Sequence, residues 1–221
     1  TWTALNTAID NNSDDIADLQ DILKSDARVR RIIIDELKQV AKKYGEDRRT
    51  GLVEELLDFS RVESGHMRLQ QQRVDVVAEL EEAVFLLQDK ARRGGITLQY
   101  IHHEQLPPVR GDSARIKQVF VNLLDNAVKF CPQGGTLGLK ILESDSKIYI
   151  TVSNDGETIP PQELPLLFER FHKSDKSRSE DKDGVGLGLY IVKTILEQHR
   201  EKIHVTSEDG VTTFSFSLAA E

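Results

Sequence analysis

The 221-residue chain has 29 basic and 37 acidic residues and a formal net charge of −8, so it lacks the broad basic excess of a general nucleic-acid-binding protein. Its single cysteine, Cys131, excludes an intrachain disulfide framework and a multi-cysteine zinc site, and a passive packing role is expected for it. No apolar run reaches the roughly 20 residues of a membrane-spanning helix.

The first 65 residues are predicted to be helical. Apolar side chains recur at helical spacing over residues 5–23, and again over 29–44 and 52–59. Glycines interrupt the pattern around residues 45–51, where either two helices abut or one long helix tolerates both glycines. The simplest interpretation is a helical hairpin or coiled coil.

Short strands and helices alternate after a polar linker at residues 65–72. Residues 160–183 are rich in charged and polar side chains, which favours a mobile loop. The periodicities predict strands at 74–77, 97–102, 135–144, 147–154, 203–208 and 212–218, and helices at 77–92, 112–130 and 187–198.

Two asparagines mark the helix predicted at 112–130. Asn122 and Asn126 lie four residues apart, so both carboxamides project from one helix face, and Lys129 follows one turn later. Amide oxygens suit magnesium and do not repel phosphates, while Lys129 offers a point charge. The alternative is that both asparagines merely bridge neighbouring backbone.

A glycine-rich turn precedes the last predicted helix. Gly184, Gly186 and Gly188 alternate there, which provides accessible backbone N–H groups and a helix N-terminus suited to an anion. Together with the asparagine pair, this turn predicts a site for magnesium and nucleotide phosphates.

Two further segments add to this hypothesis. In VSNDGETIP, a polar side chain at a strand end precedes Gly156, and such a turn can read the exocyclic amine of a purine, although it can also be an ordinary turn. In LFERF, Phe168 and Phe171 are spaced to anchor the mobile segment in the core, or simply to pack there.

In order along residues 71–221, these segments resemble the asparagine, first glycine, phenylalanine and second glycine boxes of bacterial sensor histidine kinases. GDSARIKQVFVNLLDNAVKF is similar throughout to the asparagine-box helix of that family. The resemblance implies an α+β chain, in which the helical hairpin precedes a Bergerat-type (GHKL) α/β sandwich that binds ATP.

The resemblance also implies roles for individual residues. Magnesium would be held through Asn126, and the γ-phosphate would be reached by Lys173 and Arg178 from a lid at 161–183. The catalytic set would be Asn122, Lys129, Lys173 and Arg178. The ATP site would comprise Asn122, Asn126, Lys129, Phe130, Asn154, Asp155, Gly156, Thr158, Ile159, Gly184, Val185, Gly186, Leu187, Gly188 and Leu189.

The chain departs from the family pattern at two positions, and a third position separates the kinases from the related ATPases. Asn154 stands where an aspartate usually opens Asp-x-Gly-x-Gly, and Thr158 replaces the second glycine, so weaker nucleotide binding is expected. Asp155 could read adenine only if the turn shifted by one residue. Asn122 stands where the related ATPases carry a water-activating glutamate, which favours phosphoryl transfer over hydrolysis.

The N-terminal part carries different resemblances. Residues 52–69 resemble the end of a kinase dimerisation helix, whereas residues 16–50 resemble a coiled-coil segment of the gyrase A or topoisomerase IV A subunit. The alternative is a generic charged hairpin. We therefore predict an engineered chimera with a topoisomerase-like hairpin at 1–50, a dimerisation-helix end and linker at 51–70, and a catalytic domain at 71–221.

The functional expectation is the ATP-binding catalytic domain of a two-component histidine kinase. Residues 1–65 contain no histidine to accept a phosphoryl group, so autophosphorylation is not expected of this chain. Mg²⁺ and ATP are the expected cofactors, and the expected partners are a response regulator and, through the helical region, a second copy. We expect neither a nucleic acid nor a membrane as a partner. The expected location is cytoplasmic, and a membrane anchor in the parent kinase is left open. The alternatives are a GHKL-type ATPase and an inert interaction module.

Overall fold

The computed structural model describes residues 69–102, 105–170, 172 and 186–221. The predicted helical hairpin, the topoisomerase-like segment, and the site residues Phe171, Lys173, Arg178, Gly184 and Val185 lie outside these ranges. Within these ranges, no helix is both long enough and apolar enough to cross a membrane.

The described residues contain seven strands, three α-helices and one short 3₁₀ turn, and all but one of the strands were predicted in this order. They are β1 (Gln72–Val74), α1 (Val76–Arg93), β2 (Thr97–His102), β3 (Val109–Gly111), α2 (Ser113–Phe130), β4 (Thr136–Ser144), β5 (Lys147–Asp155), the 3₁₀ turn (Leu164–Phe168), α3 (Gly188–Gln198), β6 (Ile203–Glu208) and β7 (Val211–Ala219).

The main sheet has five strands in the order β2-β4-β5-β7-β6. Strand β2 runs parallel to β4, and the other pairs are antiparallel. Strands β4 and β5 form one hairpin, and strands β6 and β7 form another. The β4–β5 turn places Asp145 and Ser146 at positive φ, and the β6–β7 turn does the same with Asp209 and Gly210, as two-residue hairpins require. Strands β1 and β3 form a separate antiparallel ribbon.

One face of the sheet packs against the helices. On β5 the buried side chains Ile148, Ile150 and Val152 alternate with more exposed ones, which include Tyr149 at 44% exposure. Helix α2 contacts β5 and packs between α1 and α3. Its buried stripe comprises Ile116, Val119, Phe120, Leu123, Leu124, Ala127 and Val128. The described residues therefore form a two-layer α/β sandwich, as the sequence predicted.

The structure corrects three details. The strand predicted at 74–77 ends at Val74, because the Asp75 side chain accepts hydrogen bonds from the Val77 and Ala78 N–H groups and starts α1 there. Strand β3 was missed, since three residues are too few to display a period. The first part of the loop predicted at 160–183 contains the 3₁₀ turn Leu164–Phe168.

Candidate nucleotide-binding site

The asparagine pair lies on the partly exposed flank of α2. The helix is capped by Asp112, whose side chain accepts from the Arg115 N–H group at 3.1 Å. The Asn122 carboxamide nitrogen donates to the main-chain oxygen of Gly188 at 3.3 Å. Because Gly188 is the first residue of α3, this bond joins the asparagine helix to the second glycine turn, as the sequence predicted for a common site.

The described part of the second glycine turn leads directly into α3. Gly186 has a φ of +82°, a left-handed conformation that glycine adopts without strain. The next residue, Leu187, is fully buried, so it fixes the start of α3 in the core. Gly188 and Leu189 then form the first turn of that helix, whose N-terminus suits an anion.

Lys129 lies in the last turn of α2, one helical turn beyond Asn126. Its Nζ atom lies 5.6 Å from the centroid of the Phe130 ring, which is 42% exposed. The lysine charge and an accessible aromatic face therefore lie together at the end of the asparagine helix, where the sequence predicted phosphate contacts.

Asn154 occupies the last inward-facing position of β5 and is only 5% exposed. Its carboxamide nitrogen donates to the main-chain oxygen of Asp155 at 2.9 Å, which leaves the carboxamide oxygen as an acceptor. The turn is not shifted by one residue. The Asp155 carboxylate instead accepts from the Thr136 N–H group at 2.8 Å, so Asp155 stabilises the start of β4.

A loop at residues 156–159 follows Asn154 and contacts the β6–β7 hairpin. The Gly156 N–H group donates to Gly210 O at 2.8 Å, and the Gly210 N–H group donates to the Thr158 hydroxyl at 2.9 Å. The Ile159 N–H group donates to the Ser207 hydroxyl at 2.9 Å. Gly156 and Gly210 both lie close to neighbouring main-chain atoms. A Cβ atom on Gly156, for example, would lie 3.1 Å from Phe130 O.

Sequence reasoning missed Ser207 and Thr212. Their hydroxyl oxygens lie 2.9 Å apart, and both residues are buried. Thr212 also stands directly opposite Asn154 on the neighbouring strand, so the three polar residues form one row on the helix-facing side of the sheet. The Asp-Gly turn at 209–210 fixes the Ser207–Thr212 register, and this signal could have revealed the pair.

Phe168 and His199 support the site. Phe168 packs edge-on against Phe214 at a centroid distance of 6.2 Å, which fits the predicted anchoring. His199 accepts from the Asp112 N–H group through Nε2 at 3.1 Å, and its Nδ1 lies 2.8 Å from Ile195 O. This histidine therefore joins the end of α3 to the start of α2.

The geometry and the order of the boxes define an ATP-binding domain of the GHKL class. Residues 111–221, half of the chain, match the family described as histidine kinase-, DNA gyrase B- and HSP90-like ATPase, and the chain belongs to that family. The curated relatives narrow this class further. The described domain is the ATP-binding catalytic domain of a two-component sensor histidine kinase.

One such relative is the sensor histidine kinase CusS of Escherichia coli O6:H1 (strain CFT073), 29% identical over 203 residues. This match covers 92% of the chain but only 38% of CusS. Full-length ShkA in complex with AMPPNP is 27% identical with a TM-score of 0.68, covering 77% of this chain and 36% of that one.

A third comparison extends the likeness of fold. Histidine kinase ThkA, solved with the response regulator TrrA, has a TM-score of 0.64 and covers 100% of this chain and 67% of that one. At 21% identity it shows the fold alone.

Proposed function

We propose that this chain transfers the γ-phosphoryl group of Mg-ATP to a histidine on another segment. The observation that carries the proposal is the hydrogen bond from Asn122 to Gly188 O, because it brings the asparagine helix and the second glycine turn to one place. A phosphoryl-transfer site needs both a metal ligand and phosphate donors within reach of one triphosphate.

The residues divide between the two ends of the nucleotide. Asn154 accepts from the adenine amine through its carboxamide oxygen, with Gly156 and Ile159 passing beside the base. Lys129 and the turn from Gly184 to Leu189 bind the phosphates. This division is supported by the buried Asn154 on the sheet and by the left-handed Gly186 before α3.

Magnesium fits this set through Asn126. A carboxamide offers a neutral oxygen ligand on the same partly exposed flank as Asn122, and Mg²⁺ favours oxygen ligands and retains several waters. The ion would neutralise charge on the phosphates. Lys173 and Arg178, from the predicted lid, would contribute further positive charge at the γ-phosphate.

Asn122 separates the proposed kinase from the alternative ATPase. A carboxamide cannot take a proton from water as a glutamate can, so the site binds the triphosphate without activating a hydrolytic nucleophile. A positioned imidazole is the acceptor that we propose in place of water. We further propose a response regulator as the next phosphoryl acceptor and a homodimer through the helical region.

The origin of residues 1–50 stays a prediction of the sequence. The alignment with CusS includes 203 of the 221 residues, and only 171 lie beyond residue 50, so at least 32 of the first 50 align with a kinase. This overlap favours a native dimerisation segment over a transplanted topoisomerase hairpin. Light scattering on residues 1–68 would measure whether this segment forms a dimer. That result tests its proposed role in dimerisation, whatever its origin.

Calorimetric titration with ATP, with and without magnesium, tests the proposal. We expect one site per chain, weakened at least tenfold by EDTA and by Asn126→Ala. The matched control, Gln118→Ala two turns earlier on α2, should bind as the unmodified chain does. No magnesium-dependent binding would overturn the proposal, and rapid phosphate release without an acceptor would favour the ATPase.

A further inference from the structure

The loop at residues 156–159 is held by side chains of its own and of the β6–β7 hairpin. Two of its three hydrogen bonds to the hairpin depend on a hydroxyl: Gly210 N–H to Thr158 Oγ1 and Ile159 N–H to Ser207 Oγ, both at 2.9 Å. We call these two contacts the hydroxyl bridge. The third bond, from Gly156 N–H to Gly210 O, joins backbone to backbone.

Ser207 is the buried centre of this bridge. Its hydroxyl accepts from Ile159 and lies 2.9 Å from the Thr212 hydroxyl, and Ser207 is only 6% exposed. Thr212 in turn stands directly opposite Asn154. One hydroxyl therefore fixes both the loop that leaves Asn154 and the polar neighbour beside it.

Thr158 is the outer contact of the bridge. The Gly210 N–H group that it accepts from belongs to a turn with a φ of +77°, which points this donor toward the loop. A glycine at position 158, as in the pattern this segment resembles, has no side chain to accept that bond. Thr158 therefore adds a contact that the Asp-x-Gly-x-Gly pattern lacks.

We infer that Ser207 and Thr158 are positioning residues for base recognition, because their hydroxyls hold the 156–159 loop in its binding conformation before nucleotide arrives. The inference rests on the proposed function. A loop that is already ordered does not lose conformational freedom upon binding. Nearly all free molecules are then in the binding conformation, so the apparent affinity for the nucleotide is not lowered. This preorganisation offsets the carboxamide that Asn154 provides in place of a carboxylate.

The consequence is specific to the base. The phosphate end of the site lies on α2 and at the start of α3, and neither bond of the hydroxyl bridge involves a residue of those helices. Loss of the bridge should weaken ATP binding more than GTP binding, because the bridge positions the loop that contacts adenine, and guanine does not make that contact. A merely structural defect would weaken both nucleotides by the same factor.

The test is displacement of a fluorescent ATP analogue by ATP and by GTP, with magnesium present. Ser207→Ala and Thr158→Val should raise the Kd for ATP about tenfold and about threefold, with little change for GTP, so that the preference for adenine falls. Thr158→Ser keeps the hydroxyl and should bind as the unmodified chain does. The matched control is Thr206→Val, an exposed threonine on the same hairpin.

The outcomes separate this inference from the proposed function. If the unmodified chain does not bind the analogue, the proposed function fails and the inference fails with it. If the unmodified chain binds but Ser207→Ala and Thr158→Val keep its Kd values, the inference alone is overturned. Equal losses for ATP and GTP would also overturn it, and Thr158→Val, at an exposed position, covers the case in which Ser207→Ala does not fold.

Discussion

Replacing Asn154 by aspartate would restore the family's adenine-reading residue, yet we predict that it destabilises the domain. The Asn154 carboxamide nitrogen lies 2.9 Å from Asp155 O, and an aspartate would place an oxygen there. The variant loses a hydrogen bond worth about 0.5–1.5 kcal/mol and sets a carboxylate against a carbonyl. Asn154 is 5% exposed, so desolvation of the charge adds to this loss. We expect a total of about 3 kcal/mol at pH 7.

The pH dependence gives this prediction a second measurement. Burial raises the pKa of the new carboxyl in the folded protein above the value of about 3.9 in the unfolded chain. Below the unfolded-state value of about 3.9 the carboxyl is protonated in both states and can donate to Asp155 O in the folded protein. The variant should then be nearly as stable as the unmodified domain. The difference should grow as the pH rises through the folded-state pKa, because only the unfolded chain ionises freely.

Urea unfolding of Asn154→Asp without nucleotide, at pH 4 and pH 7, measures both effects. Asn126→Asp makes the same chemical change on the partly exposed flank of α2 and should cost less than about 0.5 kcal/mol. Calorimetry should show no tighter ATP binding by Asn154→Asp. Equal stability at pH 7 together with tighter binding would refute the orientation argued for Asn154.

Three further changes test the surrounding framework. Arg200, at a φ of +62° after the end of α3, is the left-handed residue of a helix-ending turn, so Arg200→Gly should stabilise by about 0.5–1 kcal/mol, while Arg200→Lys should not. Burial, with nearby carboxylates adding to it, raises the pKa of Tyr100 to about 12, so stability should fall between pH 10 and 12, where only the unfolded chain ionises. Tyr100→Phe should reduce that fall in denaturant titrations, and an unchanged fall would contradict the assignment. Burial and the Asp155 carboxylate raise the pKa of the Cys131 thiol, so iodoacetamide should alkylate the folded protein more slowly than the unfolded chain at pH 8, and equal rates would count against this.

Much of the fold could be predicted because its signals are local. Alternating side chains gave β2 its observed ends at residues 97 and 102, and apolar spacing predicted α2 over residues 112–130, one residue longer than observed because Asp112 is the cap. The Asp-Gly pair at 209–210 lies between the last two predicted strands, as a two-residue hairpin turn requires. These features depend on residues within a few positions of one another, so a single sequence displays them.

The rest depends on contacts between distant parts of the chain. His199 bonds to Asp112 across 87 residues, and Ile159 bonds to Ser207 across 48. No spacing rule reveals such pairs until the strand order β5-β7-β6 is known. The asparagine helix and the second glycine turn were predicted to share a site from their residue types, but the contact from Asn122 to Gly188 O across 66 residues appears only in the fold.

The most direct test of the central claim is a crystal structure of the chain with magnesium and a non-hydrolysable ATP analogue. The account predicts the adenine amine within hydrogen-bond distance of the Asn154 carboxamide oxygen, magnesium on Asn126, and the phosphates at the turn before α3. A nucleotide bound elsewhere, or an Asn154 side chain turned away from the base, would contradict it.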